Sequence, residues 1–257
     1  MSAPTDRLPL AEPLPARLLW TAYNAVQLVF TLLWTAGCIS LALAVRAATG
    51  DVRRPLRMAA TLWAPGLLGG AGAKLVVEGR EAIDWSRPYV MVATHESIID
   101  ICALFRATPV PLRFMLKQEM TRVPFVGRYA RAMGMCFIER DGNRASMVRS
   151  LRAATEIVKA GHLLCIFPEG TRNRGGRVGE FKPGAFQVAI AAGVHVLPVA
   201  MSGAGAVLPA GGFRVRPGTI RVRFGTPITL PEGSPAEVRD RIARQAREAV
   251  VALMDAP

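Results

Sequence analysis

Tyr89-Val-Met-Val-Ala-Thr-His-Glu-Ser-Ile-Ile-Asp100 is the stretch of this sequence that decides the fold. Its first five residues are apolar and β-prone, which predicts a buried strand over residues 89–93. The polar turn that follows ends in Ser97-Ile-Ile-Asp100, which resembles the capping box at the start of a helix. A strand that leads through a short turn into a helix is typical of α/β proteins.

The same alternation continues on both sides of this stretch. Helical patterns lie between several further β-rich runs, most clearly over residues 144–160 and 184–192, and another apolar helical face ends the chain. We therefore predict an α/β fold with a central mixed, largely parallel sheet flanked by helices. The six other predicted strands are residues 75–77, 113–116, 135–138, 163–167, 196–200 and 220–224.

His95 follows the first predicted strand at its carboxyl end, where open α/β sheets place ligands. An imidazole is also a suitable general base for a hydroxyl group. Within one regular helix, side chains five residues apart point ~140° away from each other. His95 and Asp100 can therefore meet only if His95 lies in the turn and Asp100 in the first turn of a helix capped by Ser97. The alternative is that Asp100 is a helix cap and His95 an ordinary turn residue.

Two further motifs each end in an arginine that follows a predicted strand. Phe167-Pro-Glu-Gly-Thr-Arg172 combines a glycine turn, whose backbone N–H groups can face an anion, with a guanidinium suited to phosphate. Gly134-Met-Cys-Phe-Ile-Glu-Arg140 places another arginine at a strand end. Either arginine could instead belong to a solvated surface. Pro198, within Leu197-Pro-Val199, predicts an edge strand or a bulge.

Other site types are missing from the sequence. The zinc-protease pattern fails because Ile99 stands where its second histidine would be, and the three histidines form no cluster with metal-ligand spacing. There is no nucleophile elbow, Walker loop or dinucleotide fingerprint. We therefore expect no metal and no redox cofactor. The four cysteines, Cys38, Cys102, Cys136 and Cys165, are expected to be buried free thiols in a reducing cytoplasm.

The N-terminal part of the chain predicts membrane association. Residues 18–45 carry no charge and would form a helix of ~42 Å, longer than the ~30 Å hydrocarbon core. Its few polar residues share an arc of roughly 120°, so one face packs on protein or lies near headgroups. With the uncharged residues 58–73 it predicts a two-helix motif, either seated in one leaflet or spanning the bilayer. If the helix spans, the four arginines between the two stretches would place the rest of the chain on the cytoplasmic face; the same arginines could also pair with anionic headgroups.

The net charge of +13 favours an anionic partner. The high hydropathy and the lack of a nucleic-acid-binding motif point to a bilayer or a phosphorylated substrate rather than to nucleic acid. We divide the chain into an N-terminal tail and membrane-associated helical motif, residues 1–70, and a catalytic domain, residues 71–257.

Taken in order, the motifs of residues 95–100, 134–140, 167–172 and 197–199 resemble those of the 1-acylglycerol-3-phosphate acyltransferase family, within the glycerolipid acyltransferase superfamily. The segment Leu116-Lys-Gln-Glu-Met120 is similar to the family's stretch between the first two motifs. The resemblance covers roughly residues 75–225. One departure is Thr94, which stands where the family usually has asparagine.

The resemblance implies transfer of a fatty acyl group from acyl-CoA or acyl-carrier protein to lysophosphatidic acid, giving phosphatidic acid at the cytoplasmic face of the inner membrane. It implies His95 as general base and Asp100 as its partner. Another lysolipid acceptor, such as a lyso-aminolipid or lysophospholipid, and a lipid or thioester hydrolase with the same His-Asp pair remain alternatives. The acceptor-binding residues implied are Lys117, Arg140, Glu169, Gly170, Thr171 and Arg172.

Overall fold

The structure, a computed structural model, describes residues 14–139, 144–173 and 177–256. Seven strands form one sheet in the order β1-β7-β6-β2-β5-β3-β4. All neighbours are parallel except β6 and β7, so β1 and β7 run against the other five strands. The predicted mixed, largely parallel sheet is confirmed. The strands are β1 Ala73–Glu78, β2 Val90–Ala93, β3 Leu112–Lys117, β4 Cys136–Ile138, β5 Leu163–Ile166, β6 Val196–Ser202 and β7 Gly218–Phe224.

Helices cover both faces of the sheet, and two apolar clusters fill the space beneath them. The apolar face predicted at the end of the chain is confirmed, because α9 buries Val238, Ile242, Ala246 and Val250. The helices are α1 Leu14–Thr49, α2 Arg53–Met58, α3 Ala64–Gly70, α4 Asp100–Ala107, α5 Val126–Ala132, α6 Arg144–Lys159, α7 Gln187–Ala192, α8 Ala204–Val207 and α9 Pro235–Asp255, with a π-helical turn, Ala59–Trp63, between α2 and α3.

The prediction of an edge strand at Pro198 is wrong, because β6 lies inside the sheet between β7 and β2. The alternative of a bulge agrees with the pairing, because Val199 pairs with Phe224 and Val196 with Ile228, which leaves one extra residue on the partner segment. A proline is tolerated there because the ladder with β7 begins one residue later, at Val199 opposite Phe224. The Pro198 carbonyl accepts a hydrogen bond from Gly225, just beyond the end of β7. The N–H that proline lacks would point to this same side, in the irregular stretch between the ladder with β7 and the pair of Val196 with Ile228.

The long N-terminal helix packs lengthwise against α2, α3 and α5. The predicted polar stripe supplies several of the contacts, since Asn24 accepts from the backbone N–H of Val215 at 2.6 Å and Gln27 donates to the carbonyl of Gly70. Thr35 accepts from the Trp63 indole at 3.1 Å. The stripe is therefore the face of α1 that packs on protein.

The outer face of the same helix is apolar and exposed, with Leu18, Leu19, Val26 and Val29 each more than half accessible. The segment Pro15–Thr49 is the one described helix long and apolar enough to cross a membrane, with only 17% of its most apolar window buried. Residues 53–70, by contrast, contribute Leu56, Ala59, Ala64 and Leu68 to the main core. Helices α2 and α3 thus pack against the sheet domain as part of its core.

Candidate active site

His95 and Asp100 meet at the carboxyl end of β2. The His95 Nδ1 atom lies 2.8 Å from Oδ2 of Asp100, whose side chain is completely buried. A carboxylate can only accept, so Nδ1 carries the proton and Nε2 is left as the basic nitrogen. The imidazole is 18% exposed. The pair can therefore receive a proton at Nε2 while Asp100 stabilises the charged ring.

The same carboxylate oxygen also closes the turn before the helix. Asp100 Oδ2 accepts from the backbone N–H groups of Glu96 at 2.7 Å and Ser97 at 2.8 Å. The bond from Ser97 is half of a capping box, so the two alternatives for Asp100 are not exclusive. The regular helix begins only at Asp100, three residues beyond the predicted cap, and the Ser97 hydroxyl instead donates to the carbonyl of Leu208.

The imidazole plane is fixed by an aromatic neighbour. The ring of Phe167 stacks on His95 with centroids 4.0 Å apart and planes 16° apart. Phe167 directly follows β5, which is the neighbour of β2 in the sheet. The first residue of the Phe167–Arg172 motif therefore sets the orientation of the histidine that the first motif supplies.

Glu169 is also tied to the histidine loop. Its side chain is buried, with Oε1 accepting from the backbone N–H of His95 at 3.3 Å and Oε2 accepting from that of Gly179 at 3.0 Å. The Gly179 carbonyl in turn accepts from Arg247 on α9 at 2.9 Å. A chain of hydrogen bonds thus runs from the C-terminal helix to the backbone of His95.

Two glutamates, Glu96 and Glu169, lie near the His95–Asp100 pair. Burial raises the pKa of Glu96 and of Glu169, and the charge of Asp100 adds to the rise in each. Glu96 accepts from the backbone N–H of Gly205 at 3.1 Å. Each of these glutamates therefore keeps its proton to higher pH than a free carboxyl group does.

The structure brings most of the predicted acceptor residues to one edge of the sheet. Strands β2, β5 and β3 are parallel neighbours, so His95, the Glu169–Arg172 turn and Lys117 all lie at their carboxyl ends. Lys117, Thr171 and Arg172 are exposed, and Gly170 is buried with φ +78°, a conformation that favours glycine. Arg140 lies outside the described residues.

Sequence reasoning missed several residues that hold this site. Thr94, noted only as a departure from a family pattern, exchanges hydrogen bonds with Met201: its hydroxyl accepts from the N–H at 2.8 Å and donates to the carbonyl at 3.2 Å. Glu96, Leu208 and Arg247 likewise contact the site. Their partners are far away in sequence, so no local pattern signals these contacts.

An apolar cavity of about 710 Å³ extends from the start of α4 to α1 and α5. Its lining includes Ile98 and Ile99, next to the His95 turn, and the buried Phe114 and Met135. Leu32 and Leu33 of α1 line it as well, and both are more than 60% exposed. The cavity therefore connects the surroundings of the His-Asp pair with the exposed face of α1.

The cysteines and the possible metal ligands form no further reactive or metal site among the described residues. Cys102, Cys136 and Cys165 are buried free thiols as predicted, whereas Cys38 is half-buried and lines the cavity. Within residues 14–139, 144–173 and 177–256, no group of three or more His, Cys, Asp and Glu residues could hold a metal ion.

Comparison with known proteins gives consistent matches. A family model described as Acyltransferase matches residues 74–202. A chloroplastic 1-acyl-sn-glycerol-3-phosphate acyltransferase of Arabidopsis thaliana is 35% identical over 71% of this chain and 49% of its own length. A 1-acyl-sn-glycerol-3-phosphate acyltransferase of Pseudomonas aeruginosa is 34% identical over 63% of this chain and 62% of its own length. The chain thus spans about half to two thirds of these relatives.

A solved structure is similar over almost the whole chain. The crystal structure of the 1-acyl-sn-glycerophosphate acyltransferase of Thermotoga maritima superposes with a TM-score of 0.77 at 26% identity. The match covers 95% of this chain and 98% of that one. The long apolar helix and the sheet domain are therefore included in the similarity.

Proposed function

Because this chain belongs to the acyltransferase family, we propose that it transfers a fatty acyl group from acyl-CoA or acyl-carrier protein to the free hydroxyl of lysophosphatidic acid, giving phosphatidic acid. The observation that carries the proposal is the His95–Asp100 pair, with its buried carboxylate and partly exposed imidazole, next to residues that line an apolar cavity. The names of the relatives, which are 1-acyl-sn-glycerol-3-phosphate acyltransferases, support the choice of acceptor.

The His-Asp pair supports direct transfer without a covalent enzyme intermediate. Nε2 of His95 takes the proton from the acceptor hydroxyl while its oxygen attacks the thioester carbonyl carbon. The tetrahedral intermediate then expels the thiolate, which takes that proton back from the imidazolium. Asp100 holds the imidazole in the tautomer with the proton on Nδ1 and stabilises the charged ring.

The apolar cavity supports a fatty acyl substrate. Its lining is almost entirely hydrocarbon and includes Ile98 and Ile99, three and four residues beyond His95. An acyl chain in the cavity would lose its contact with water, which is the main source of favourable binding energy for such a chain. The thioester carbon would then lie near His95, on the side of the cavity that Ile98 and Ile99 line.

The acceptor phosphate is assigned to the basic residues at the sheet edge. Arg172 and Lys117 are exposed at the same edge of the sheet as His95, and a guanidinium can bind two phosphate oxygens at once. Arg140 belongs to the same proposed set from its motif. Gly170 and Thr171 place backbone and hydroxyl donors in the same turn, whereas the carboxylate of Glu169 is already bonded to two backbone N–H groups.

The arrangement of α1 supports seating in one leaflet rather than a single span. Its contacts with the body of the protein extend from Asn24 to Ala42, which is roughly 27 Å of helix. A helix attached over most of the hydrocarbon thickness cannot cross the bilayer without taking the sheet domain into it. We place the protein on the cytoplasmic face of the inner membrane, with the exposed leucines and valines of α1 among the lipid chains.

The test is to identify the products by mass. The full-length protein in detergent is given acyl-CoA with lysophosphatidic acid, and then acyl-carrier protein and other lysolipids. Phosphatidic acid as main product is expected. Free fatty acid in its place would show a hydrolase that uses the same pair, and a diacyl product from another lysolipid alone would change the acceptor.

A further inference from the structure

A strained turn lies beside the mouth of the apolar cavity. Phe125 has φ +60° and ψ −54°, and the N–H of Val126 bonds to the carbonyl of Pro124 at 2.6 Å. This is a γ-turn with a positive φ at its centre, a rare and strained conformation for a residue other than glycine. Among the described residues, Phe125 is the one non-glycine residue with positive φ.

The surrounding packing holds this turn in place. A side chain at Gly127 would lie 2.2 Å from the carbonyl oxygen of Thr121, so only glycine fits the observed backbone. Arg131 donates to the same carbonyl at 3.2 Å. The strain is therefore maintained by contacts on both sides, and its result is that an aromatic ring points outward.

The turn presents an apolar tip surrounded by arginines. Val123 and Phe125 are 40% and 41% exposed. Arg122, Arg128 and Arg131 line a second, more polar cavity of about 290 Å³ together with the tip. Among the described residues, Arg122 and Arg128 have no carboxylate within ion-pair distance. We call residues 121–131 the arginine turn.

The arginine turn is continuous with the surface that is proposed to face lipid. Val123 and Phe125 line the large cavity, and so do the exposed Leu32 and Leu33 of α1. An aromatic ring among lipid chains with arginines at headgroup level is the usual arrangement at a membrane interface. The positive charge of the arginines and their position next to the exposed face of α1 thus both indicate the same ligand, an anionic membrane lipid.

We propose that the arginine turn is a binding site for anionic membrane lipids: Phe125 inserts among the acyl chains while Arg122 and Arg128 bind a headgroup phosphate. This proposal rests on the proposed function in one respect, which is that the exposed face of α1 lies on the membrane that the arginine turn binds. The site holds the cavity mouth against the region of the bilayer where anionic lysolipid and product are found.

Vesicle sedimentation tests the proposal with the full-length protein. Wild type and Arg122→Gln/Arg128→Gln are mixed with phosphatidylcholine vesicles, and with vesicles that also contain phosphatidylglycerol. Near an anionic surface each arginine contributes ~1 kcal/mol, so the double variant should bind the anionic vesicles about thirtyfold more weakly. Binding to phosphatidylcholine should change little. Arg241→Gln/Arg244→Gln on α9 removes the same charge elsewhere and should have a much smaller effect.

A second variant tests the apolar tip without disturbing the fold. Glycine adopts φ +60° readily, so Phe125→Gly relieves the strain while removing the ring. We expect its melting temperature to be at least that of wild type and its binding to both vesicle types to be weaker. Unchanged binding to both would overturn the insertion of Phe125.

The phosphate that Arg122 and Arg128 bind has an alternative source, the acyl donor. Kinetic assays of the same variants separate the two sources. A raised KM for acyl-CoA in detergent, with unchanged vesicle binding, would assign Arg122 and Arg128 to the donor and overturn the proposal. Equal losses in both arginine double variants would reduce the effect to net charge and would also overturn it. Sedimentation requires no acyl transfer, so failure of the proposed reaction would be seen separately as a missing lipid product.

Discussion

The carboxylate of Asp100 is shared between the imidazole and the turn before α4. In Asp100→Asn the amide oxygen can still accept from the backbone and from Nδ1, but the neutral amide no longer stabilises the imidazolium that forms when His95 takes the proton. We expect kcat to fall by about 10²–10⁴, because the charged imidazole loses its negative partner. Circular dichroism should show an intact fold. Near-normal kcat would mean that Asp100 is only a helix cap.

Glu169 was predicted from its motif to bind the acceptor, and its contacts suggest that it positions the His95 loop. Glu169→Gln keeps one acceptor oxygen where two are used, so one backbone N–H loses its partner. If Glu169 acts through His95, kcat should fall by about tenfold with little change in the acceptor KM.

Arg172→Ala is the matched comparison for Glu169→Gln. It removes an exposed cation from the same turn and should raise the acceptor KM about tenfold with kcat nearly unchanged. The opposite result, a raised KM in Glu169→Gln and a lowered kcat in Arg172→Ala, would exchange the two roles.

Helices α1 and α3 pack closely at a position where a glycine leaves room for a side chain of the other helix. A side chain on Gly66 of α3 would lie 2.3 Å from the indole of Trp34 on α1, and that indole donates to the carbonyl of Trp63 at 3.2 Å. Gly66→Ala should therefore separate α1 from α3 and cost about 1–3 kcal/mol of unfolding free energy.

Gly69→Ala is the control on the same helix, because nothing lies within 4 Å of its added side chain. Helix propensity alone should make it neutral or more stable by about 0.5–1 kcal/mol. Equal destabilisation by both changes, measured by thermal unfolding in detergent, would mean that the α1–α3 contact is not the cause.

At the scale of strands and helices, the local sequence patterns predicted the elements well. All seven strands were identified, because each is a short apolar run between turn residues. The antiparallel direction of β7 and the central place of β6 were not predictable, since strand order depends on contacts across long stretches of chain. Arg247 shows the same limit within the site: it contacts residues 178 and 179 from a helix that looks like an ordinary amphipathic surface helix.

The whole molecule combines a buried reactive pair, an apolar cavity and an exposed apolar helix. Removal of the first 70 residues would take away core residues such as Leu56 and Leu68, so it cannot test membrane attachment alone. Leu19→Gln/Val26→Gln/Val29→Gln changes only exposed positions of α1 that do not line the cavity.

The triple glutamine variant should bind phosphatidylcholine vesicles at least tenfold more weakly, because each apolar side chain gains ~1.5–3 kcal/mol when fully buried in hydrocarbon. Its melting temperature in detergent should stay near that of wild type. Unchanged sedimentation with vesicles would show that another surface holds the protein on the membrane.

The most direct test of the central claim compares wild type with His95→Ala in one assay, with acyl-CoA and lysophosphatidic acid as substrates and the lipid product identified by mass. We predict phosphatidic acid from wild type and a rate at least ~10²-fold lower from the variant, since a positioned base contributes about that much. Equal rates from both proteins would contradict the assignment of His95 as the base, and with it the mechanism proposed for this site.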